Sequence, residues 1–385
     1  MAQLSPETLA SPAQALPFWL SLGTLPIAAA GLAWGGLWVL ALPAWCWILF
    51  PALDAALGLN KDNANPDTPD DQLRVYTLLT LIWVPIQLST LGVTLWYLPQ
   101  SGMTGWEKAG MVFGMGVMSG TIGLNYAHEL LHQKPRIERL AGDLLLASVL
   151  HSHFRSEHMR VHHLYVGTPR DTVTARYNEG FHRFFPRVLI GQRRSAFASE
   201  KAMLARRNLP WWHRTNPFWR YWAFQAAFLT LALTLGGWEG LVIFAAQALI
   251  AQWQLELVNY VEHYGLTRRH LGEGRYEHTL PRHSWNAAHK ATNWLLINLQ
   301  RHSDHHYKPD RRFPLLQNYE EDEAPQLPFG YPVMTSLAMI PPLWKRAMNP
   351  RVRAWRRQFY PDITDWKPYN KARNPMPKGA PPQSP

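Results

Sequence analysis

Nine of the chain's seventeen histidines fall at spacings that can hold a metal, and they are the residues most able to do chemistry. In Leu299-Gln300-Arg301-His302-Ser303-Asp304-His305-His306, three of them stand at i, i+3 and i+4. On a helix those positions share a face, so the three imidazoles are expected to reach one common point. His128 and His132 repeat the i, i+4 spacing, and His158, His162 and His163 follow i, i+4, i+5. A single His263 sits in Asn259-Tyr260-Val261-Glu262-His263-Tyr264-Gly265, the weakest of the nine on spacing alone. Three or four imidazoles satisfy one metal with an open position, so nine point to two metals.

Each cluster carries a carboxylate at its shoulder: Glu129, Glu157, Glu262 and Asp304. Ligating imidazoles commonly donate their other N–H to such a group. Direct ligation and ordinary surface acidity are the other roles open to these four. His128-Glu129-Leu130-Leu131-His132 is formally H-E-x-x-H, the zinc-protease pattern, but a protease would leave the remaining clustered histidines without a purpose. A metal transporter would carry its histidines along the spans rather than at one end. Of the other histidines, His182, His213, His270 and His278 read as solvated surface, and His151 and His153, at i, i+2, as rings that a helix would point apart. His283 and His289 are candidate supports behind the ligands.

All-nitrogen sites suit zinc, copper, iron or nickel on ligand chemistry alone. Location tilts the choice. A polar cage beside long apolar walls fits an apolar substrate brought to an oxygen-activating metal, for which iron is the usual choice. The single cysteine, Cys46, excludes a disulfide framework, a cysteine zinc site and an iron–sulfur centre, so electrons must come from another protein or domain.

The elements that position these groups are membrane helices. No charged residue occurs from Leu9 to Leu53, a stretch suited to two spans of about 20 residues, with the break at Gly31 and Gly35-Gly36. The run lacks the basic start of a secretory signal and is too long for one. Hydropathy places six spans at about 16–33, 35–57, 75–98, 108–131, 218–236 and 240–262. The fourth is rich in Gly and Met, permits close helix packing, and runs into His128 without a break signal. Ile137 to Leu150 is too short to span and reads as a buried or re-entrant helix. Trp211-Trp212 and Trp219 to Trp222 mark an interfacial belt. Trp45, Cys46, Trp47, Met111, Met115 and Met118 are candidates for the wall of a substrate channel, with ordinary packing as the alternative.

The fold class is therefore all-α, an integral membrane bundle of six transmembrane helices with a cytoplasmic histidine-rich cap. It forms a single domain over residues 1–370, with a disordered Pro-rich tail over 371–385. The net charge is +11, with 38 Lys and Arg against 27 Asp and Glu. None of the basic residues precedes Lys61, and they crowd into 134–220 and the chain after Tyr264. By the positive-inside rule these loops and both termini are cytoplasmic, with contact to anionic membrane lipid a secondary gain. Nucleic acid is not an expected partner, because no groove-reading or base-stacking module is recognisable.

Asn259 to Gly265, Gly274-Arg275-Tyr276-Glu277, His283-Ser284-Trp285-Asn286 and Leu299 to His306 with Arg311-Arg312 together resemble the membrane alkane 1-monooxygenase (alkane hydroxylase) family. Gln326-Leu327-Pro328, Gly330-Tyr331-Pro332 and Pro341-Pro342-Leu343-Trp344 extend the resemblance to about Arg353. It implies a non-haem diiron hydroxylase in a bacterial inner membrane. Such an enzyme takes O2 and electrons from rubredoxin and its reductase, and converts the terminal methyl of medium-chain alkanes to a primary alcohol. It also carries His263 over as a ligand. Departures at Leu131, Gln133, Val161 and Thr168-Pro169-Arg170-Asp171-Thr172 remove no histidine but bear on substrate range. Xylene-type aryl-methyl monooxygenases and fatty-acyl hydroxylases or desaturases are the neighbouring alternatives. Arg268, Arg269, Arg311 and Arg312 are the expected meeting point for an acidic electron carrier.

Overall fold

The computed structural model describes residues 3–4, 9 and 11–372, so the tail expected over 371–385 falls almost wholly outside the described residues. The protein is mostly helical. Among the described residues, four helical stretches are long and apolar enough to cross a membrane: α1 (Pro12–Trp34), α2 (Gly36–Leu57), α3 (Asp70–Gln100) and a stretch over Phe218–His263. α1 turns into α2 at Gly35 and Gly36, both with positive φ of 59° and 54°, a conformation that glycine adopts without Cβ strain. Gly31, expected to share in that break, lies inside α1 with Met111 packed against it.

The 46-residue stretch Phe218–His263 is a hairpin. At Gly237 the backbone leaves helical space, with φ 60° and ψ −149°. The Phe228 and Phe244 rings consequently stack 6.2 Å apart, where a straight helix would separate residues that far apart by about 24 Å. We label the limbs before and after Gly237 α8a and α8b.

Between α3 and α8a in sequence lie α4 (105–132), α5 (Arg136–Ala147), α6 (154–165) and α7 (Phe181–Ala205). α4 is the centre of the bundle, buried from Gly110 through Gln133 except at partly covered Phe113. Its glycines explain how. A Cβ on Gly110 would lie 2.4 Å from Val39 of α2, and one on Gly116 would lie 2.5 Å from Ile250 of α8b. Small residues thus let helices close on α4 from two sides. Away from the core, large apolar side chains face outward, as on a lipid-facing surface: Leu37 and Ile48 on α2, Val242 and Leu249 on α8b.

Exposed tryptophans form two groups at helix ends. Trp34, Trp38, Trp96, Trp106 and Trp238 cluster where the glycine turns lie, and Trp211, Trp212, Trp219 and Trp222 gather at the start of α8a. Such girdles suit the two water–lipid interfaces.

After α8b come α9 (Lys290–Leu295), α10 (His302–Tyr307), α11 (Tyr331–Ala338) and α12 (Pro341–Phe359). Buried hydrogen bonds from charged side chains hold this cap together and lock it to the N-terminal half. Asp54 of α2 accepts hydrogen bonds from the Thr292 N–H, 2.9 Å away, and from the Thr292 hydroxyl. Arg301 donates to the carbonyls of Leu316 at 2.7 Å and Asp62 at 2.9 Å.

Candidate metal centre

Four segments deliver the nine histidines to one place. α4 brings His128 and His132, α6 brings His158, His162 and His163, α8b ends at His263, and α10 brings His302, His305 and His306. Their ring nitrogens fall into two adjoining sets. In each set, one nitrogen per residue lies within 4.8 Å of every other: His128, His132, His158, His163 and His305 in one, His162, His263, His302 and His306 in the other. The rings of His163 and His306, one from each set, are 4.7 Å apart.

This partition departs from simple helical spacing, and local structure explains it. Residues 158–162 form a π-helical turn, whose wider i→i+5 period brings His163, not His162, back over His158. The Nε2 atoms of His158 and His163 are 2.9 Å apart, whereas His162 faces the other way with its Nε2 3.2 Å from that of His306. The three histidines of α10 do not reach a common point either. His302 and His306, one helical turn apart, pair at 3.0 Å, while His305 swings to the first set, 3.2 Å from His163. Thus one short helix serves both sets. A second π-turn, Ser119–Gly123, lies inside α4 just ahead of His128.

The donors fit a metal. The neighbouring Nε2 pairs within the sets are 2.9 Å to 3.3 Å apart, and every ligand nitrogen of a set lies within 4.8 Å of the others. Around an ion with bonds of about 2.1 Å, adjacent nitrogens lie about 3.0 Å apart in an octahedron and about 3.4 Å in a tetrahedron. Burial, reinforced by neighbouring imidazoles, holds His158, His163, His302, His305 and His306 well below the usual histidine pKa. They are therefore neutral, with lone pairs free to ligate. Converging lone pairs repel one another, and a cation relieves that repulsion.

Behind the rings the supports differ from the four carboxylates singled out by sequence. His162 Nδ1 lies 3.0 Å from Asp171, which also accepts from the Thr174 hydroxyl at 2.6 Å and the Val173 N–H at 3.0 Å. No sequence period marks Asp171 as a support, because it follows its histidine through an irregular turn. His263 Nδ1 lies 3.0 Å from the carbonyl of Asn259, one helical turn back. Glu262 is 3.3 Å from His302 Nδ1 but is not aligned as a hydrogen bond. Glu129 accepts instead from Gln133 at 2.9 Å and the Phe313 N–H at 3.3 Å. That engagement leaves it poorly placed to act as the base of a zinc protease. Asp304 accepts from Arg311 at 2.6 Å and Tyr319 at 2.8 Å. Glu157 is fully buried with no hydrogen-bond partner among the described residues, and burial beside Asp171 and Glu256 raises it well above the carboxylate range.

Several other expectations are corrected. The four arginines expected to meet an electron carrier are already engaged. Arg311 pairs with Asp304, Arg312 with Glu138 and Asp70, and Arg269 with Asp362, while Arg268 donates to the carbonyls of Leu164 and Glu277. His151 and His153 lie in the turn after α5 rather than on a helix, and their rings meet at 4.5 Å. His283 holds Glu277 and Tyr360, at 3.2 Å and 2.7 Å, instead of a ligand ring.

A largely apolar cavity opens on both sets. His128 and His158 from one and His302 from the other line it, with Cys46, Trp47, Leu255, Val258 and Leu299 as walls. Trp45, Met111, Met115 and Met118 lie away from it. Trp45 packs on Phe50 and against Gly23, and Met111 packs against Gly31.

Comparison with known proteins agrees with this arrangement. The model of the fatty acid desaturase family matches residues 104–338, which include all nine histidines. The chain is 40% identical over 325 residues to alkane 1-monooxygenase 2 of Pseudomonas aeruginosa, covering 81% of this chain and 85% of that one. It is 37% identical over 326 residues to alkane 1-monooxygenase 2 of Alcanivorax borkumensis, covering 81% and 84%. The xylene/toluene monooxygenase hydroxylase component of Pseudomonas putida is 29% identical over 254 residues, 66% of this chain and 67% of that one. By fold and histidine set, the chain is a membrane oxidoreductase of the fatty acid desaturase class. Within that class it belongs to the alkane 1-monooxygenase family.

Proposed function

We propose that the protein hydroxylates the terminal methyl of medium-chain alkanes, with the net reaction R–CH3 + O2 + 2e− + 2H+ → R–CH2OH + H2O. Rubredoxin, reduced by its reductase, supplies the electrons at the cytoplasmic face. The observation that carries this reading is the convergence of nine imidazoles in two adjoining sets of five and four, with members of both sets lining one largely apolar cavity. Two iron ions, one per set, would supply the activation of dioxygen that attack on an unactivated C–H bond requires. The six spans are α1, α2, α3, α4, α8a and α8b, in a bacterial inner membrane with both termini cytoplasmic.

The chain's own contribution is holding and positioning. Asp171 and the Asn259 carbonyl take Nδ1–H, which fixes the tautomer and turns each Nε2 lone pair inward. Cys46, Trp47, Leu255 and Leu299 offer the substrate only apolar contact, worth about 0.8 kcal/mol for each CH2 buried. Binding strength then grows with chain length, and His128, His158 and His302 in the cavity lining would put the metals within reach of a bound chain. Packed aliphatic and aromatic walls also keep bulk water from the metals.

An aryl-methyl substrate is the second reading. Trp47 lies 5.9 Å from Phe113 and 6.1 Å from Trp253, ring to ring, a cluster able to flank a flat substrate.

The deciding experiment measures iron per chain and Mössbauer coupling in the detergent-solubilised protein, wild type and His305→Ala. Turnover of octane, p-xylene and a fatty-acyl lipid with rubredoxin and 18O2 is measured alongside. Two coupled irons, reduced in His305→Ala, with labelled 1-octanol as product, support the reading. One zinc per chain untouched by His305→Ala, or an alkene product, overturns it.

A further inference from the structure

Outside the metal centre, the 167–176 loop, the outer side of α7 and the segment around Thr267 enclose a cavity of about 430 Å³. Its wall is strongly basic. Arg170 and Arg176 come from the loop, Arg187 and Arg194 from α7. Arg187 is neutralised by a two-pronged pair with Glu179, at 2.8 Å and 2.9 Å, and Asp171 is taken by His162 and Thr174. The other three arginines have no acidic side chain hydrogen-bonded to them among the described residues. Arg170 stacks on the Tyr165 ring with its guanidinium carbon 3.8 Å from the centroid, and Arg206 is close enough to add like-charge repulsion. Among the described residues, three polar atoms of the lining are buried without a hydrogen-bond partner: Arg170 Nη1, Thr172 Oγ1 and Thr267 Oγ1.

Buried donors are rarely left unmade, and unpaired cations held together beside a cavity cost energy until an anion arrives. A planar guanidinium with two hydroxyls beside it is the donor set that a tetrahedral oxyanion satisfies. We propose that this cavity binds a phosphate group. A concave, half-open pocket suits a phosphate or a lipid headgroup better than the convex face of a protein.

The site lies beside the metal centre. The loop that carries Arg170 also carries Asp171, the partner of His162, and the Gly167 N–H donates to Thr174, which itself donates to Asp171. A phosphate bridging Arg170 of the loop to Arg194 of α7 would hold this loop in place and, through Asp171, steady one metal-facing ring. The inference stands apart from the identity of the metal and of the hydroxylated substrate.

The test uses the full-length protein in phosphate-free maltoside. Inorganic phosphate and dioleoylphosphatidylglycerol are added in separate arms at constant ionic strength, with chloride as control. Binding is read by isothermal titration and by hydrogen–deuterium exchange of 167–176. We expect saturable binding that protects this loop, and about tenfold weaker binding in each of Arg170→Gln and Arg194→Gln, one charge-assisted contact apiece. Arg194 is exposed, so its replacement leaves the buried packing in place. Binding by phosphate alone assigns a soluble ligand, by phosphatidylglycerol alone a lipid headgroup, and by both the phosphate group itself. No protection of 167–176 in either arm, protection equalled by chloride, or both variants binding as tightly as wild type overturns the proposal. So does a result in which the variants change only the KM for rubredoxin, because the arginines would then form a protein-docking surface.

Discussion

Asp171→Ala is the substitution that most directly tests how the second histidine set is held. The carboxylate accepts from three groups: His162 Nδ1 at 3.0 Å, the Thr174 hydroxyl at 2.6 Å and the Val173 N–H at 3.0 Å. Loss of a partner behind a ligating imidazole weakens metal binding about 10- to 100-fold, or roughly 1.4–2.8 kcal/mol. Alanine also strips the acceptor from two donors in a buried turn, so the upper end of that range applies. Asp171→Asn retains a carbonyl acceptor and should lose only about tenfold. Because His162 belongs to the four-histidine set, one of the two ions should leave first. The assay is iron per chain during titration with a chelator, followed by single-turnover hydroxylation with reduced rubredoxin in excess. Asp171→Ala should pass through a plateau near one iron per chain that wild type lacks. Glu129→Gln supplies the contrast: Glu129 touches Gln133 and Phe313 rather than a ring nitrogen, so its iron should resist chelation as in wild type. If Asp171→Ala keeps both irons at wild-type chelator resistance, the argument that Asp171 orients a ligand fails.

Three further outcomes follow from the same reasoning. Burial pushes the Glu277 carboxyl up, but hydrogen bonds from His283, Tyr360 and the Arg269 N–H outweigh it and bring it down to about 2. A carboxylate held below its unfolded value contributes stability above about pH 4.5 that is lost as pH falls toward 2; after discounting for its exposed side, about 1–2 kcal/mol is at stake. Thermal unfolding in detergent should therefore show a slope over this window that Glu277→Gln flattens, and an unchanged slope would refute it. Gly237→Ala adds a Cβ that meets nothing within 4 Å, so its cost is purely that of the backbone at φ 60° and ψ −149°, about 1–3 kcal/mol. A melting temperature equal to wild type would mean that the α8a–α8b turn adopts another conformation. Val258→Phe narrows the cavity beside the histidines; each pair of CH2 groups displaced should lower kcat/KM about tenfold, at about 0.8 kcal/mol per group. Competition between hexane and dodecane measures it, and equal losses on both would place the hydrocarbon elsewhere.

Much of this architecture is legible in the sequence because membrane helices and metal ligands both impose periods. A long charge-free run has to become helix in lipid, and the Gly35-Gly36 and Gly236-Gly237 pairs mark the points where a helix can reverse. The nine histidines announce themselves by helical spacing. What spacing does not reveal is anything that depends on a neighbour distant in sequence. The arginines after the last histidine motif look like free surface charge, yet Arg312 is inserted against Glu138 and Asp70 and Arg311 is held by Asp304. Trp45 and Trp47 are equally plausible channel walls in sequence, and only the register of α2 turns Trp47 to the cavity and Trp45 to Phe50.

The partition of ligands is the deeper case, because there the local rule itself changes. With a period of 3.6 residues, His158 and His162 belong together and His163 is the outlier. One inserted residue in the 158–162 turn reverses this: His163 joins His158 at 2.9 Å and His162 is sent across to His306 at 3.2 Å. An ordinary α-helix would direct the pair His158 and His162 to one ion and leave the other short of a ligand. The π-turn allows six consecutive residues to feed two adjacent metal positions, which α10 also does by sending His305 one way and His302 and His306 the other. Two histidine sets this close are therefore fed by two short elements that each serve both sets, and a local departure from α-helical period is how the first of them does so.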